Sequence, residues 1–204
     1  MQKTKIDWGI PNLYTWNPVT GCRRGCSYCY ARRIHERFEE GPFNELRFHR
    51  ERIFDVLPQK PSTIFIGSMS DIEYWKIGWV EDVLQTVELW PDHTFMFLSK
   101  NSDSYKNYFW PRNTMQGLTI TKLNNDSELI NLGKISKLPR PYLSIEPLLG
   151  MVLPTLQIKF MARVIVGAMT GPKAIIPTPA WIQSIKNNVP ESIIYWKPNI
   201  RKYL

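Results

Sequence analysis

Apolar, β-branched and aromatic residues recur along this chain in short runs, separated by stretches whose apolar positions fall three and four apart. The runs are "STIFIGS" at 62–68, "TFMFLSK" at 94–100, "GLTIT" at 117–121, "PYLSIEP" at 141–147, "RVIVGAM" at 163–169 and "SIIYWKP" at 192–198. Each is bounded by turn residues and reads as a buried strand. Helical spacing marks "WVEDVLQTVELW" at 79–90 and "PAWIQSIKNN" at 179–188, the second with Thr178 as N-cap and Pro179 at the first helical position. The interval 31–57, from "ARRIHERFEE" through "NELRFHRERIFDVL", predicts one or two basic amphipathic helices broken at Gly41-Pro42. The polar intervals 101–116 and 123–140 leave room only for short helices. Strand and helix in alternation imply an α/β fold with mostly parallel strands and right-handed crossovers, either open or curled into a barrel.

The unusual polar residues cluster where the strands end: "SMSD" after 62–67, "KNSDS" after 94–99, "SIEP" within 141–147 and "TGP" after 163–169. The carboxyl ends of parallel strands form the ligand-binding edge of such sheets, so polar groups from several strands converge there. The competing reading is that each Ser, Asp or Gly only caps the helix that follows.

With 43% hydrophobic and 22% charged residues in 204, the chain has the material for one globular domain spanning 1–204. Neither a secretory apolar segment at "MQKTKIDWGI" nor any run long enough to span a bilayer is visible, so a soluble, cytoplasmic protein with no membrane partner is expected. The net charge of +8 suits an anionic partner such as nucleic acid, and equally suits simple solubility.

Candidate chemistry is concentrated in "TGCRRGCSYCYARR", which holds all three cysteines, Cys22, Cys26 and Cys29. An odd, clustered set is a poor disulfide framework and a good wrapping for one small inorganic centre. A closed zinc site wants a fourth ligand. His35 lies on the predicted helix that leads away from the loop, and His49 and His93 are farther along the chain. The other possibility is a position left open to a reactant, as one iron of a 4Fe-4S cluster would be with three cysteines.

The run Cys22-Arg-Arg-Gly-Cys26-Ser-Tyr28-Cys29 resembles the C-x3-C-x-aromatic-C signature of the radical S-adenosylmethionine superfamily. "TKIDW" at 4–8, "TWNPVTGC" at 15–22, "GSMSD" at 67–71, "LSK" at 98–100, "LSIEPLLG" at 143–150 and "VIVGAMTGP" at 164–172 extend the resemblance, in order and spacing, to a family of short radical enzymes common on phages and mobile elements. That family usually reads "GGESG" where this chain has "GAMTG" at 167–171, so the acidic residue expected there is absent. The resemblance implies a partial (βα)6-type TIM barrel whose first strand is Tyr14–Asn17, with the cluster loop after it. It further implies a 4Fe-4S cluster on Cys22, Cys26 and Cys29, and S-adenosylmethionine cleaved reductively to methionine and a 5'-deoxyadenosyl radical. An electron donor such as flavodoxin or ferredoxin would serve it.

Residue by residue, the resemblance sets Tyr28 near the adenine, Gly67, Ser68, Ser70 and Asp71 near the methionine amino group, and Lys100 near its carboxylate. Ser144 and Glu146, two apart and hence on one face of a strand, would meet ribose hydroxyls or the ammonium. Little chain remains to build a lid, which favours a large substrate, nucleic acid first, for modification or repair. Arg32, Arg33 and Arg37 are the candidate phosphate contacts, against the alternative of a solvated amphipathic helix. A peptide or protein substrate is the second reading, a small molecule the third. A non-catalytic zinc module that binds nucleic acid is the competing class.

Overall fold

A computed structural model of the chain describes residues 1–171 and 173–204. Two compact units result, each gathered from separate stretches of chain: Met1–Ile6, Ile10–Ser99 and Lys106–Thr114 in the first, Asp7–Gly9, Lys100–Tyr105 and Met115–Leu204 in the second. Among the described residues, no helix is long and apolar enough to cross a membrane.

In chain order the first unit contains β1 (Gln2–Lys3), β2 (Leu13–Trp16), β3 (Val19–Thr20), α1 (Tyr30–Phe38), β4 (Arg47–Phe48), β5 (Thr63–Ile66), α2 (Ile77–Glu88) and β6 (Thr94–Ser99). Strands β2, β5 and β6 pair side by side in parallel, with Trp16 opposite Ile66 and Ile66 opposite Phe97; β1 is antiparallel to β2. Burial explains the continuous apolar runs. Ile64, Phe65 and Ile66 of β5 and Phe95, Met96 and Phe97 of β6 are all buried, as expected of parallel strands covered on both faces. Helix α2 supplies cover with Val80, Val83, Leu84 and Val87, spaced three and four apart and buried.

The expected second helix in 31–57 does not form. α1 ends at Phe38, Gly41 turns with φ +84°, and the chain continues as β4 and a 3-10 segment at Arg50–Phe54. Long-range partners override the helical spacing here. Val19 and Thr20 pair with Phe48 and Arg47, and the His49 N–H donates to the Pro18 carbonyl at 2.8 Å. Arg52 donates to the Asn17 carbonyl at 2.9 Å and accepts from Trp16 Nε1 at 2.8 Å.

From Met115 on, the second unit carries β7 (Thr114–Ile120, entered at Met115), α3 (Asp126–Ile135), β8 (Pro141–Ile145), β9 (Arg163–Val166), α4 (Pro179–Asn188), β10 (Ile194–Trp196) and α5 (Pro198–Arg201). β7, β8, β9 and β10 pair in that order, all parallel. The fold is thus α/β with mostly parallel strands, as the alternation predicts, and among the described residues the first strand of neither unit pairs with its last to close the ladder. Thr178 caps α4 by accepting from the Trp181 N–H, with Pro179 at the first helical position. α3 occupies the interval where only a short helix was expected: Asn125 accepts from Glu128 N–H and Glu128 accepts from Asn124 N–H, two otherwise orphaned donors satisfied at one helix start.

Packing in the second unit leaves no room at Gly117. A Cβ there would lie 2.2 Å from the ring of Tyr142, which is fully buried and directly opposite in the ladder. Gly117→Ala is therefore expected to cost about 1–3 kcal/mol by overpacking. Denaturant unfolding measures it, and a midpoint equal to the parent's would contradict this packing.

Candidate functional site

Three adjacent parallel strands of the first unit end at Trp16, Ile66 and Ser99, so Asn17, the Gly67–Asp71 turn and Ser99 gather at one edge of the ladder. Gly67 makes the turn possible with φ +76°, and its N–H donates to the Trp16 carbonyl at 3.0 Å. Asn17 then organises the turn, its Oδ1 accepting from Ser68 Oγ at 3.0 Å and from Met69 N–H at 3.2 Å. Ser70 Oγ accepts from Trp75 Nε1 at 3.1 Å. Asp71 is buried, and its Oδ1 accepts from Ser99 Oγ at 2.6 Å and from Glu73 N–H at 3.1 Å, which also caps the 3-10 turn Ile72–Tyr74.

The cysteine loop is tied to this turn along its length. Gly21 pairs with it as an isolated bridge, donating to the Met69 carbonyl at 3.1 Å. Its φ of +92°, and the Glu45 carbonyl oxygen 2.3 Å from where a Cβ would stand, exclude any other residue. Arg24, between the first two cysteines, forms ion pairs with Asp71 (Nε to Oδ2, 3.6 Å) and with Glu73. Tyr30, just past the third cysteine, donates its hydroxyl to the Ser68 carbonyl at 2.6 Å.

Cys22, Cys26 and Cys29 are free thiols, each half-buried. Cys29 is the N-cap of α1, its Sγ accepting from Arg32 N–H at 3.4 Å. Burial pushes the Cys22 thiol up; the Arg24 N–H on its sulfur pulls the other way, while Asp71, Cys29 and Cys26 add to the rise. The Tyr28 phenol is raised far above its usual range by burial first, then by the charge of Cys26 and a hydrogen bond to it. The Cys22 thiol therefore feels the other two cysteines and the turn's carboxylate. The histidines are committed elsewhere: buried His35 bonds the Gly41 carbonyl through Nε2 at 3.0 Å and packs against Phe43, and His49 bonds Thr20. Among the described residues, no three His, Cys, Asp or Glu side chains are drawn closely enough together to hold a metal ion. As a donor set, three accessible thiols on one loop with no imidazole beside them still suit a thiolate-ligated cluster better than a closed zinc site.

Of the residues singled out in the sequence, the structure brings together Cys22, Cys26, Cys29 and Tyr28 with Gly67, Ser68, Ser70 and Asp71. Arg33 and Arg37 are exposed on α1, whereas Arg32 is half-buried and reaches back toward Gly25, 4.0 Å from where its Cβ would be. Lys100, Ser144 and Glu146 belong to the second unit. Lys100 follows β6 and is half-buried, Ser144 is buried within β8, and Glu146 stands one residue past the end of β8. Glu146 is ion-paired with Lys197, one residue past the end of β10. Between them Gly167 follows the last residue of β9, and a Cβ there would come within 2.9 Å of the Glu146 carboxylate. Asn199 donates to the Ala168 carbonyl at 2.8 Å and accepts from its N–H at 3.4 Å, fixing the start of "GAMTG". Pro172, the last residue of "VIVGAMTGP", lies outside the described residues.

Sequence reasoning missed Asn17, Arg24, Tyr30, Glu73 and Lys197. The first three lie inside "TWNPVTGCRRGCSYCY", so the signal for them was their position beside the cysteines rather than their type.

An α/β protein with a three-cysteine loop anchored on a strand-end turn is the class these features define. The chain belongs to the family described as "Protein of unknown function (DUF5131)", whose model matches residues 3–197. No curated protein and no solved structure matches it.

The raised Cys22 thiol has a readable consequence. Its alkylation by iodoacetamide, followed by peptide mapping, should keep accelerating past about pH 9.5, where an ordinary thiol, with a pKa of about 8.5, is almost all thiolate and levels off. Asp71→Asn removes a negative charge that disfavours the thiolate, so it should move the profile to lower pH. A plateau at the ordinary value in the parent would contradict the burial assigned to Cys22.

Proposed function

We propose that the chain is a radical S-adenosylmethionine enzyme in which Cys22, Cys26 and Cys29 hold a 4Fe-4S cluster, acting on a large substrate, nucleic acid. The observation that carries the reading is the attachment of the cysteine loop to the "GSMSD" turn through Gly21, Arg24 and Tyr30, since it puts the two motifs of the resemblance side by side in one unit. Held there by Cys22, Cys26 and Cys29, a cluster would supply the electron, and S-adenosylmethionine the sulfonium that it cleaves.

The chain's own residues bind and orient. Cys22, Cys26 and Cys29 are the ligands, with one iron position left to the cofactor. Tyr28 lines the loop on the adenine side. Asp71 already serves Ser99, Glu73 and Arg24, so its part is to position Arg24 and with it the loop; the turn offers the hydroxyls of Ser68 and Ser70 to the cofactor's amino group. Lys100, Ser144 and Glu146 keep the cofactor roles the resemblance gives them, and Glu146 is ion-paired with Lys197. A partial (βα)6-type barrel is the arrangement this reading requires of the parallel strands. The electron comes from a donor such as flavodoxin or ferredoxin.

The test is cofactor cleavage by anaerobically reconstituted protein under dithionite, read as methionine and 5'-deoxyadenosine. Cys22→Ala, Cys26→Ala and Cys29→Ala should each lose stable iron. Glu146→Gln should retain iron near the parent's level while cleavage falls by at least about tenfold, the loss of one charge-assisted contact, whereas Asp71→Asn, which weakens the anchor of the cysteine loop, should lower both retained iron and cleavage. Equal iron in the cysteine variants, or undiminished cleavage in both carboxylate variants, contradicts the assignment. With deuterated substrate pools, label should pass from nucleic acid into 5'-deoxyadenosine; passage from peptides instead transfers the reading to a protein substrate.

A further inference from the structure

Helix α1 presents an unusual outer face. Placing its residues about 100° apart sets Arg33, Arg37, Tyr30, Ile34 and Phe38, in that angular order, on one arc of about 140°. All five are exposed, Phe38 by 79% and Tyr30 by 44%, while Ala31 and His35 form the buried side. An apolar stripe at i, i+4 and i+8 ordinarily faces a core, yet here it faces outward beside two cations. Neither Arg33 nor Arg37 forms an ion pair among the described residues. The acidic residues of this segment lie off the arc: Glu36 falls beyond Arg33 towards Arg32, and Glu39 and Glu40 follow the helix end.

The face is not a loose decoration. Tyr30 is held by its hydroxyl on the Ser68 carbonyl at 2.6 Å, so the stripe begins at the turn to which the cysteine loop is tied. Arg33 and Arg37, one turn apart, stand about 6 Å from one another along the axis, within the reach of neighbouring phosphates on an extended strand. Tyr30 and Phe38 stand about 12 Å apart along the same axis, two ring surfaces flanking an aliphatic Ile34.

We propose that this face of α1 is a binding platform for single-stranded nucleic acid, with bases stacking on Tyr30 and Phe38 and the backbone phosphates meeting Arg33 and Arg37. The chemistry favours this occupant over a folded protein because cations border the apolar stripe on one side only, matching a strand that has an apolar base edge and an anionic backbone edge. Duplex DNA or RNA hides its base faces and would engage only the arginines. The inference rests on the nucleic-acid part of the proposed function, and it names the form of nucleic acid delivered to the cysteine end of α1.

Fluorescence anisotropy with a short labelled single strand and its duplex, at several salt concentrations, tests it on the full-length protein purified under nitrogen, with iron and sulfide assayed on the same sample. The parent should prefer the single strand. Phe38→Ala, at a side chain too exposed to disturb folding, should weaken single-strand binding about 5- to 150-fold with little change in the salt slope. Arg33→Gln/Arg37→Gln should lower the slope by about 1.4, or about 0.7 per phosphate. Equal affinity for single strand and duplex, no binding by the parent, or binding by Phe38→Ala equal to the parent's overturns the platform. Absence of iron with Phe38-dependent binding intact would instead count against the cluster and leave the platform standing.

Discussion

The proposed cluster site depends on Arg24. Its guanidinium lies among two carboxylates, Asp71 and Glu73, that belong to a turn nearly fifty residues away in sequence, and through it a flexible loop of three thiols acquires a fixed place. The Arg24 side chain is 26% exposed and that of Asp71 only 10%, so the interaction is neither a solvent-screened surface pair nor a fully desolvated one. Removing Arg24 would take a cation away from a largely buried carboxylate, a loss of about 1–3 kcal/mol that falls on the geometry of the loop. Gly21 and Tyr30 hold the two ends of the loop, and Arg24 acts from its middle.

The second unit repeats the logic at the ends of β8, β9 and β10. Glu146 and Lys197 neutralise each other across the position of Gly167, and the missing side chain there is what gives the carboxylate its space. A paired carboxylate at a strand-end edge is costly to desolvate and is retained where ionised groups serve a ligand or a specific geometry. In both units, therefore, an ion pair, Arg24–Asp71 or Lys197–Glu146, lies at the carboxyl edge of parallel strands, while the strands themselves are packed with side chains such as Ile64, Phe95, Leu143 and Val164 that have no polar atoms.

What was legible in the sequence was what short-range chemistry decides. Near-continuous apolar runs such as "TFMFLSK" and "RVIVGAM" reveal buried parallel strands because both faces are covered, and Thr178-Pro179 marks a helix start through local hydrogen-bonding geometry alone. The segment around Arg50 failed for the opposite reason: its backbone is claimed by Pro18, Val19 and Thr20, partners that periodicity does not register. Partner choice was equally hidden. Asp71 was visible as a strand-end carboxylate, but that Arg24 would meet it follows from the bridge between Gly21 and Ser70, a long-range pairing that periodicity does not register. The outward stripe on α1 was masked by its own regularity, since Tyr30, Ile34 and Phe38 have the spacing of a buried face and show their role only when Ala31 and His35 are seen to occupy that face instead.

The central claim is that three thiolates on the anchored loop hold an iron-sulfur cluster, and metal analysis of the protein purified without oxygen addresses it most directly. Elemental and labile-sulfide assays should find about four iron and about four sulfide per chain in a brown, correctly folded sample. A colourless protein with one zinc and no sulfide would contradict the account at its root.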